Sequence, residues 1–133
     1  LPAGTYGLSN HLLNTPWPKV QATKNSLKNI ENQNQNTDIS HHLLTALKNK
    51  EIPADSQLPD TGIGLELERL LSPAFISSPH YGTRTSTIII VEKISAAPTN
   101  TSNSIGQIYF HERQYQQDNT PGFKDQIYTI TPT

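Results

Sequence analysis

The sequence predicts an α+β fold, because a short N-terminal strand and several helices are followed by a run of strands. Apolar residues recur at helical spacing in three segments before residue 72. After residue 84 the apolar residues become consecutive, and residues 88–91 indicate a strand that is covered on both faces. This order is typical of an α+β domain or of a sheet layered against helices.

The N-terminal segment combines a predicted strand with a predicted helix. Residues 4–10 are interpreted as a short strand that ends in a polar turn. Pro18 suits the first turn of a helix, where its missing N–H group has no helical partner to lose. The helix is predicted over residues 19–36, and its Asn/Gln-rich end is predicted to fray or to form a loop.

Two further helices are predicted before the strands begin. Asp38 is predicted to cap a helix over residues 39–50. The stretch LPDTG at residues 58–62 is predicted to be a turn that leads into a helix over residues 63–71. The apolar face of that third helix is predicted to consist of Ile63, Leu67, Leu70 and Leu71.

The acidic residues of the third helix do not form a predicted active site. Glu66 and Glu68 diverge around the helix axis, so they cannot act as a carboxylate pair. Glu68 and Arg69 are interpreted as surface or capping charges.

Three strands are predicted in the remainder of the chain. The first covers residues 85–93, and the second covers residues 105–113 and runs antiparallel to it through a loop over residues 95–104. A third strand over residues 126–131 is predicted at the edge of the sheet.

The composition excludes several functional classes. The 133 residues include ten basic and eleven acidic side chains without blocks, which argues against a nucleic-acid partner. No apolar run approaches the roughly 18 residues of a membrane-spanning helix. Without cysteine there is no disulfide, thiolate metal site or cysteine nucleophile in these residues. The lack of cysteines and of a signal-peptide pattern favours the cytoplasm.

The chain is expected to be part of a longer protein. It contains no methionine, so Leu1 is interpreted as an internal residue of a precursor. Apolar residues account for 33% of the chain, and even with seven glycines the share stays below the ~45–50% of typical domains. We therefore expect the thin core to pack against another segment or another chain, and we expect this chain not to fold alone.

Four residues are candidates for a functional site. Asn10 is either a turn former or an amide donor to an oxyanion. Arg84, at the mouth of an apolar strand, is either a surface cation or a fixed charge that orients a carboxylate or lowers the pKa of a nucleophile. Tyr81 and Trp17 are candidates for substrate binding, although Trp17 between two prolines also suits a packed position.

The histidines do not predict a metal centre. His41 and His42 are adjacent and point about 100° apart on a helix, so they cannot easily share one ion. The other three histidines are isolated in the sequence, and we expect neither a metal nor a cofactor.

Four blocks resemble the C-terminal half of the NRDE-domain family, which includes transport and Golgi organisation 2-like proteins. They are GTYGLSNHLLNTPWPKV at 4–20, LPDTGIGLELERLLSPAFI at 58–76, YGTRTSTIIIVEK at 81–93 and GQIYFHER at 106–113. The resemblance implies that residues 1–133 are a single domain or the C-terminal fragment of one NRDE domain. Its implied partner is the N-terminal half of the same domain or a second copy of the chain.

The NRDE family is similar to the N-terminal nucleophile hydrolases, so the resemblance implies a four-layer αββα sandwich. It implies an enzyme that hydrolyses amide C–N bonds with an N-terminal cysteine, which lies upstream of these residues. Asn10 would then face the oxyanion, and Arg84 would stabilise the environment of the nucleophile. The alternatives are a non-catalytic binding or trafficking protein that handles lipid or haem, and an interaction fragment without a pocket of its own.

Overall fold

The computed structural model describes residues 1–31, 38–93, 105–116 and 122–132. The chain divides into two compact units, Leu1–Thr83 and Arg84–Thr133. The first contains the helices and the second contains a three-stranded sheet, which confirms the α+β class. The assignment of residues 1–133 to a single domain or fragment stays a prediction. None of the described helices is long and apolar enough to cross a membrane.

The prediction of a strand over residues 4–10 is wrong, because these residues form a loop. Hydrogen bonds between Gly7 and Asn14 close this loop. Asn14 adopts a left-handed conformation with φ of 62° and donates its backbone N–H to the carbonyl of Gly7. Its side-chain oxygen accepts hydrogen bonds from the N–H of Gly7 and from Lys24 Nζ. With both backbone groups of Gly7 satisfied in this way, no partner strand is needed.

The first helix, α1, covers Pro18–Glu31, so Pro18 begins the helix as predicted. The predicted tail over residues 32–36 lies outside the described residues. Val20 is buried, and α1 packs against the second helix. A methyl group on Gly7 would come within 2.6 Å of Val20 Cγ1, so a glycine allows the N-terminal loop to lie directly on α1.

The second helix, α2, covers Ile39–Leu47 and ends three residues earlier than predicted. Asp38 is its N-cap, since its carboxylate accepts a hydrogen bond from the backbone N–H of His41. Leu44 is 1% exposed and forms the core of the unit with Val20 and Phe75. A single 3₁₀ turn follows at Asp55–Gln57.

The third helix, α3, covers Leu65–Leu71, and its predicted apolar face is wrong in part. Ile63 and Leu67 are exposed, whereas Glu68 is only 6% exposed. Glu68 turns inward because the preceding loop supplies two donors: the backbone N–H and the hydroxyl of Thr61 both bind Glu68 Oε1, at 2.7 and 2.6 Å. Of the two alternatives predicted for Glu68, a surface charge or a capping charge, the surface charge is therefore wrong.

The second unit is an antiparallel sheet with the strand order β1-β2-β3. Strand β1 covers Thr85–Lys93, β2 covers Ile105–Tyr115 and β3 covers Phe123–Ile130. The antiparallel pairing and the edge position of the third strand are confirmed. The loop predicted over residues 95–104 lies outside the described residues.

Only one face of β1 is buried, so the predicted two-sided burial is wrong for this chain. Ser86 and Ile88 are buried, but Ile89 is 62% exposed and Val91 is also exposed. The register places Ile89 beside Phe110 and Tyr128 across the three strands. The described residues of this sheet therefore present an exposed apolar face.

Candidate functional site

A cavity of about 280 Å³ lies within the first unit, between the start of α1, the loop before α3 and the face of α3 that carries Glu68 and Leu71. Its walls are mainly apolar and come from the proline-rich entry to α1, the turn at residues 58–62 and α3 itself. The apolar lining residues are Trp17, Pro18, Pro59, Ile63 and Leu71. Apolar concavities with a few convergent polar groups are the usual form of small-molecule sites.

Trp17 forms one wall of the cavity, where the segment before α1 fixes its position. Its carbonyl accepts the N–H of Gln21 in the first turn of α1, and its own N–H donates to the carbonyl of Thr15. The ring centroid lies 5.6 Å from that of His11 and 5.9 Å from Lys19 Nζ. The expectation that Trp17 binds substrate stays a prediction, and its position on the cavity wall is compatible with it.

Five polar residues share the lining with these apolar groups. They are Asn10, Lys19, Thr61, Glu68 and Ser72. Asn10 is exposed at the end of the N-terminal segment and borders a second, adjoining depression as well. The structure therefore brings two of the four sequence-predicted residues, Asn10 and Trp17, to the same cavity.

Lys19 and Glu68 are the charged residues of the cavity lining, and neither was predicted as a site residue. Lys19 Nζ donates a 2.8 Å hydrogen bond to the carbonyl of Leu71 in the last turn of α3. Its partial burial lowers the pKa of Lys19 below that of an exposed lysine, while the nearby charge of Glu68 acts in the opposite direction. One sequence signal was available for Glu68: it precedes Leu71 and Ser72 by three and four residues, so it shares a helix face with them.

The other two predicted residues lie elsewhere. Tyr81 is 57% exposed in a turn of the first unit, where its carbonyl accepts hydrogen bonds from the N–H and hydroxyl of Ser78. Arg84 begins the second unit with an exposed side chain, and its carbonyl accepts the N–H of Tyr115 on β2. The functional roles of Arg84 and Tyr81, and the proximity of Arg84 to Asn10, stay predictions.

A polar cluster on the sheet has a structural explanation. Arg113 on β2 makes two 2.7 Å hydrogen bonds to the carboxylate of Asp125, its direct partner on β3. This guanidinium holds the pKa of Asp125 below its usual value. His111 Nε2 lies 3.4 Å from the same carboxylate, and the guanidinium stacks 3.8 Å from the centroid of Phe123. The cluster fixes the register of β2 and β3.

The described ranges contain no group of three or more His, Cys, Asp or Glu side chains with metal-binding geometry. His41 and His42 make an edge-to-face ring contact with centroids 6.0 Å apart.

Comparison with known proteins shows the family. A family model described as "Transport and Golgi organisation 2" matches residues 1–117. The chain is 32% identical to the human "Transport and Golgi organization protein 2 homolog" over 98% of its own length and 46% of the relative. The chain is 30% identical to the mouse homolog, again over 98% of the chain and 46% of the relative. It is 37% identical to the bovine homolog over 69% of the chain and 36% of the relative.

The chain belongs to the Transport and Golgi organisation 2 family, a branch of the NRDE family. It spans less than half the length of these curated relatives.

Proposed function

We propose that this chain forms a small-molecule binding site of a Transport and Golgi organisation 2 family protein. The observation that carries the proposal is the cavity itself: apolar walls around Trp17 converge on the oppositely charged Lys19 and Glu68. Such a site binds the apolar body of a ligand by excluding water and orients it through the polar groups. In a non-catalytic protein such a site would serve a carrier or trafficking role. The family resemblance implies lipid or haem as the ligand class.

Trp17 provides a direct test, because it is the single tryptophan of this chain and it lines the cavity. We expect 1-naphthol, a neutral two-ring probe, to quench Trp17 emission in a saturable titration. The variant Ile63→Arg introduces a charge at the cavity wall and is expected to abolish the quenching. Leu12→Arg is the matched control, since Leu12 is 75% exposed and outside the lining.

Saturable quenching in the unaltered chain and in Leu12→Arg, and its loss in Ile63→Arg, would support the site. Equal quenching in both variants would show that the probe binds elsewhere, and it would refute the proposal.

A second candidate function is amide hydrolysis, and the position of Asn10 on the cavity lining favours it. In this mechanism an α-amino group takes the proton of a cysteine thiol, and the sulfur attacks the amide carbonyl. The C–N bond then breaks, the amine leaves with that proton, and water hydrolyses the thioester that remains. Asn10 would donate its side-chain N–H to the oxyanion, and Arg84 would stabilise the thiolate. This chain contains no cysteine, so the nucleophile would have to come from another part of the full-length protein.

Mass spectrometry of the full-length protein after incubation with an amide-type electrophile tests the hydrolase hypothesis. Acylation of an N-terminal cysteine, slowed by Asn10→Ala through loss of an oxyanion donor, would support catalysis. Removing one such donor typically costs about 10²–10³ in rate. A folded protein without an adduct at that cysteine would contradict it and favour the binding function.

The exposed apolar face of the sheet is where a further segment of the family domain would pack in an αββα sandwich. Its exposed apolar residues include Ile89 and Val91 on β1 and Tyr128 on β3 at the opposite side of the sheet. If the full-length protein covers this face, Ile89→Asp should destabilise it strongly, whereas Thr85→Asp on the same face should have little effect. Equal unfolding midpoints for the two variants would refute the packing.

A further inference from the structure

Two opposite charges line the cavity without forming an ion pair with each other. Lys19 Nζ bonds to the Leu71 carbonyl, and Glu68 Oε1 accepts both donors of Thr61. The ion pairs in the described part of the chain involve other residues. Partial burial lowers the pKa of Lys19, and the nearby charge of Glu68 nevertheless acts to raise it.

Both groups retain hydrogen-bonding capacity toward the cavity. A lysine ammonium has three donors, and the described residues provide one acceptor for Lys19, the Leu71 carbonyl. A carboxylate accepts at both oxygens, yet both Thr61 donors bind Oε1, and the described residues supply no donor to Oε2 of Glu68. Glu68 as a whole is 6% exposed, but its Oε2 is not among the fully buried atoms without a partner in the described residues, so this oxygen remains open to water or to a ligand in the cavity.

We infer that the cavity binds a zwitterionic ligand with an apolar body. The ligand's ammonium group binds Glu68, its carboxylate binds Lys19, and its apolar part lies against Trp17. A zwitterion brings no net charge into the apolar site, and each of its charges meets an opposite one. A purely cationic ligand would be repelled by Lys19, and a purely anionic ligand would be repelled by Glu68. This inference rests on the proposed binding function and specifies its ligand class.

Four derivatives of one amino acid separate the two charges experimentally. L-phenylalanine carries both; N-acetyl-L-phenylalanine lacks the ammonium; the methyl ester lacks the carboxylate; and the N-acetyl methyl ester lacks both. Isothermal titration of the full-length protein with each compound is the measurement. Because hydrogen bonds to charged groups are among the stronger ones, we expect phenylalanine to bind at least about tenfold more tightly than each of the other three.

Matched variants assign each charge to its residue. Glu68→Gln is expected to weaken phenylalanine binding about tenfold. It is not expected to weaken binding of the anionic N-acetyl compound, which has no ammonium group for Glu68 to bind and which the Glu68 charge repels. Lys19→Met is expected to weaken phenylalanine similarly and to spare the methyl ester. Glu66→Gln on α3 and Lys28→Met on α1 are the controls, since both positions are exposed and outside the cavity lining.

The outcomes separate this inference from the proposed function. Equal affinity for the neutral N-acetyl methyl ester and for phenylalanine overturns the zwitterion assignment, as does wild-type affinity in both Glu68→Gln and Lys19→Met. If Glu68→Gln fails to fold, the ligand series on the unaltered protein and the Lys19→Met variant still decide. Binding of 1-naphthol without binding of phenylalanine refutes the inference alone. Absence of binding by 1-naphthol and by all four compounds overturns both.

Discussion

The contact between Gly7 and α1 allows a quantitative prediction about how the N-terminal loop is held. In Gly7→Ala the new methyl carbon would lie 2.6 Å from Val20 Cγ1. Carbon atoms pack best at about 3.5–4.0 Å, so the overlap is about 1 Å. Val20 is buried in the core beneath the loop, so it has little room to move away.

The expected cost of Gly7→Ala is about 1–3 kcal/mol of unfolding free energy, the usual range for an overpacked core position. Val20→Ala removes the opposing methyl groups and is expected to cost about 2 kcal/mol from lost burial and the remaining cavity. In the double variant the added methyl occupies the space that Cγ1 leaves. We therefore expect the double variant to be more stable than the sum of the single costs by about 1–2 kcal/mol.

Urea unfolding of the full-length protein, followed by far-ultraviolet circular dichroism, measures these free energies. Gly4→Ala is the matched control, because the nearest atoms to a methyl group there belong to the Tyr6 side chain, at an ordinary 3.5 Å. It also corrects for the entropy that any Gly→Ala change removes from the unfolded chain, about 0.4–1 kcal/mol. If the cost of the double variant equals the sum of the two single costs within about 0.5 kcal/mol, the close approach of Gly7 to Val20 is refuted.

Three further predictions concern the core, a helix cap and the sheet. Leu44→Ala should lower the unfolding free energy by about 2–5 kcal/mol, because Leu44 is 1% exposed; a cost below 1 kcal/mol would contradict this burial. Asp38→Ala should cost about 1 kcal/mol by removing the cap on the His41 N–H, and Asp38→Asn should restore most of it; equal loss in both would rule out capping. Because Arg113 holds the pKa of Asp125 low, this pair contributes stability above the unfolded-state pKa of the carboxyl, and that contribution disappears as pH falls through the lower folded-state pKa. Asp125→Asn should therefore lose less stability on acidification, and an unchanged acid profile in urea-unfolding measurements would contradict the pairing.

Elements with strong local signals were predictable from the sequence. The apolar run of β1 and the alternating pattern of β3 produce strands, and a cap residue and a proline mark the starts of α2 and α1. The N-terminal segment was not predictable, because Asn14 provides both hydrogen bonds that a strand neighbour would have provided to Gly7, one through its side-chain oxygen and one through its backbone N–H. When a residue such as Asn14 takes the place of strand pairing, no apolar periodicity in the sequence reveals it.

The site was predicted only in part, for a related reason. Asn10 and Trp17 were candidates because of their residue types, and both line the cavity. Glu68 was interpreted as a surface or capping charge, because ionised side chains are rarely buried. Its burial depends on Thr61, which lies seven residues away in a turn, and periodicity does not report such a loop-to-helix hydrogen bond.

The most direct test of the central claim is the indole N–H resonance of Trp17 in a two-dimensional ¹⁵N–¹H spectrum during titration with 1-naphthol. Binding in the cavity should shift this resonance in step with the backbone amide of Thr61, because both residues line it. The same titration of Ile63→Arg should leave both resonances unchanged. If 1-naphthol shifts other resonances while Trp17 and Thr61 stay fixed, ligands bind elsewhere and the cavity is not the binding site.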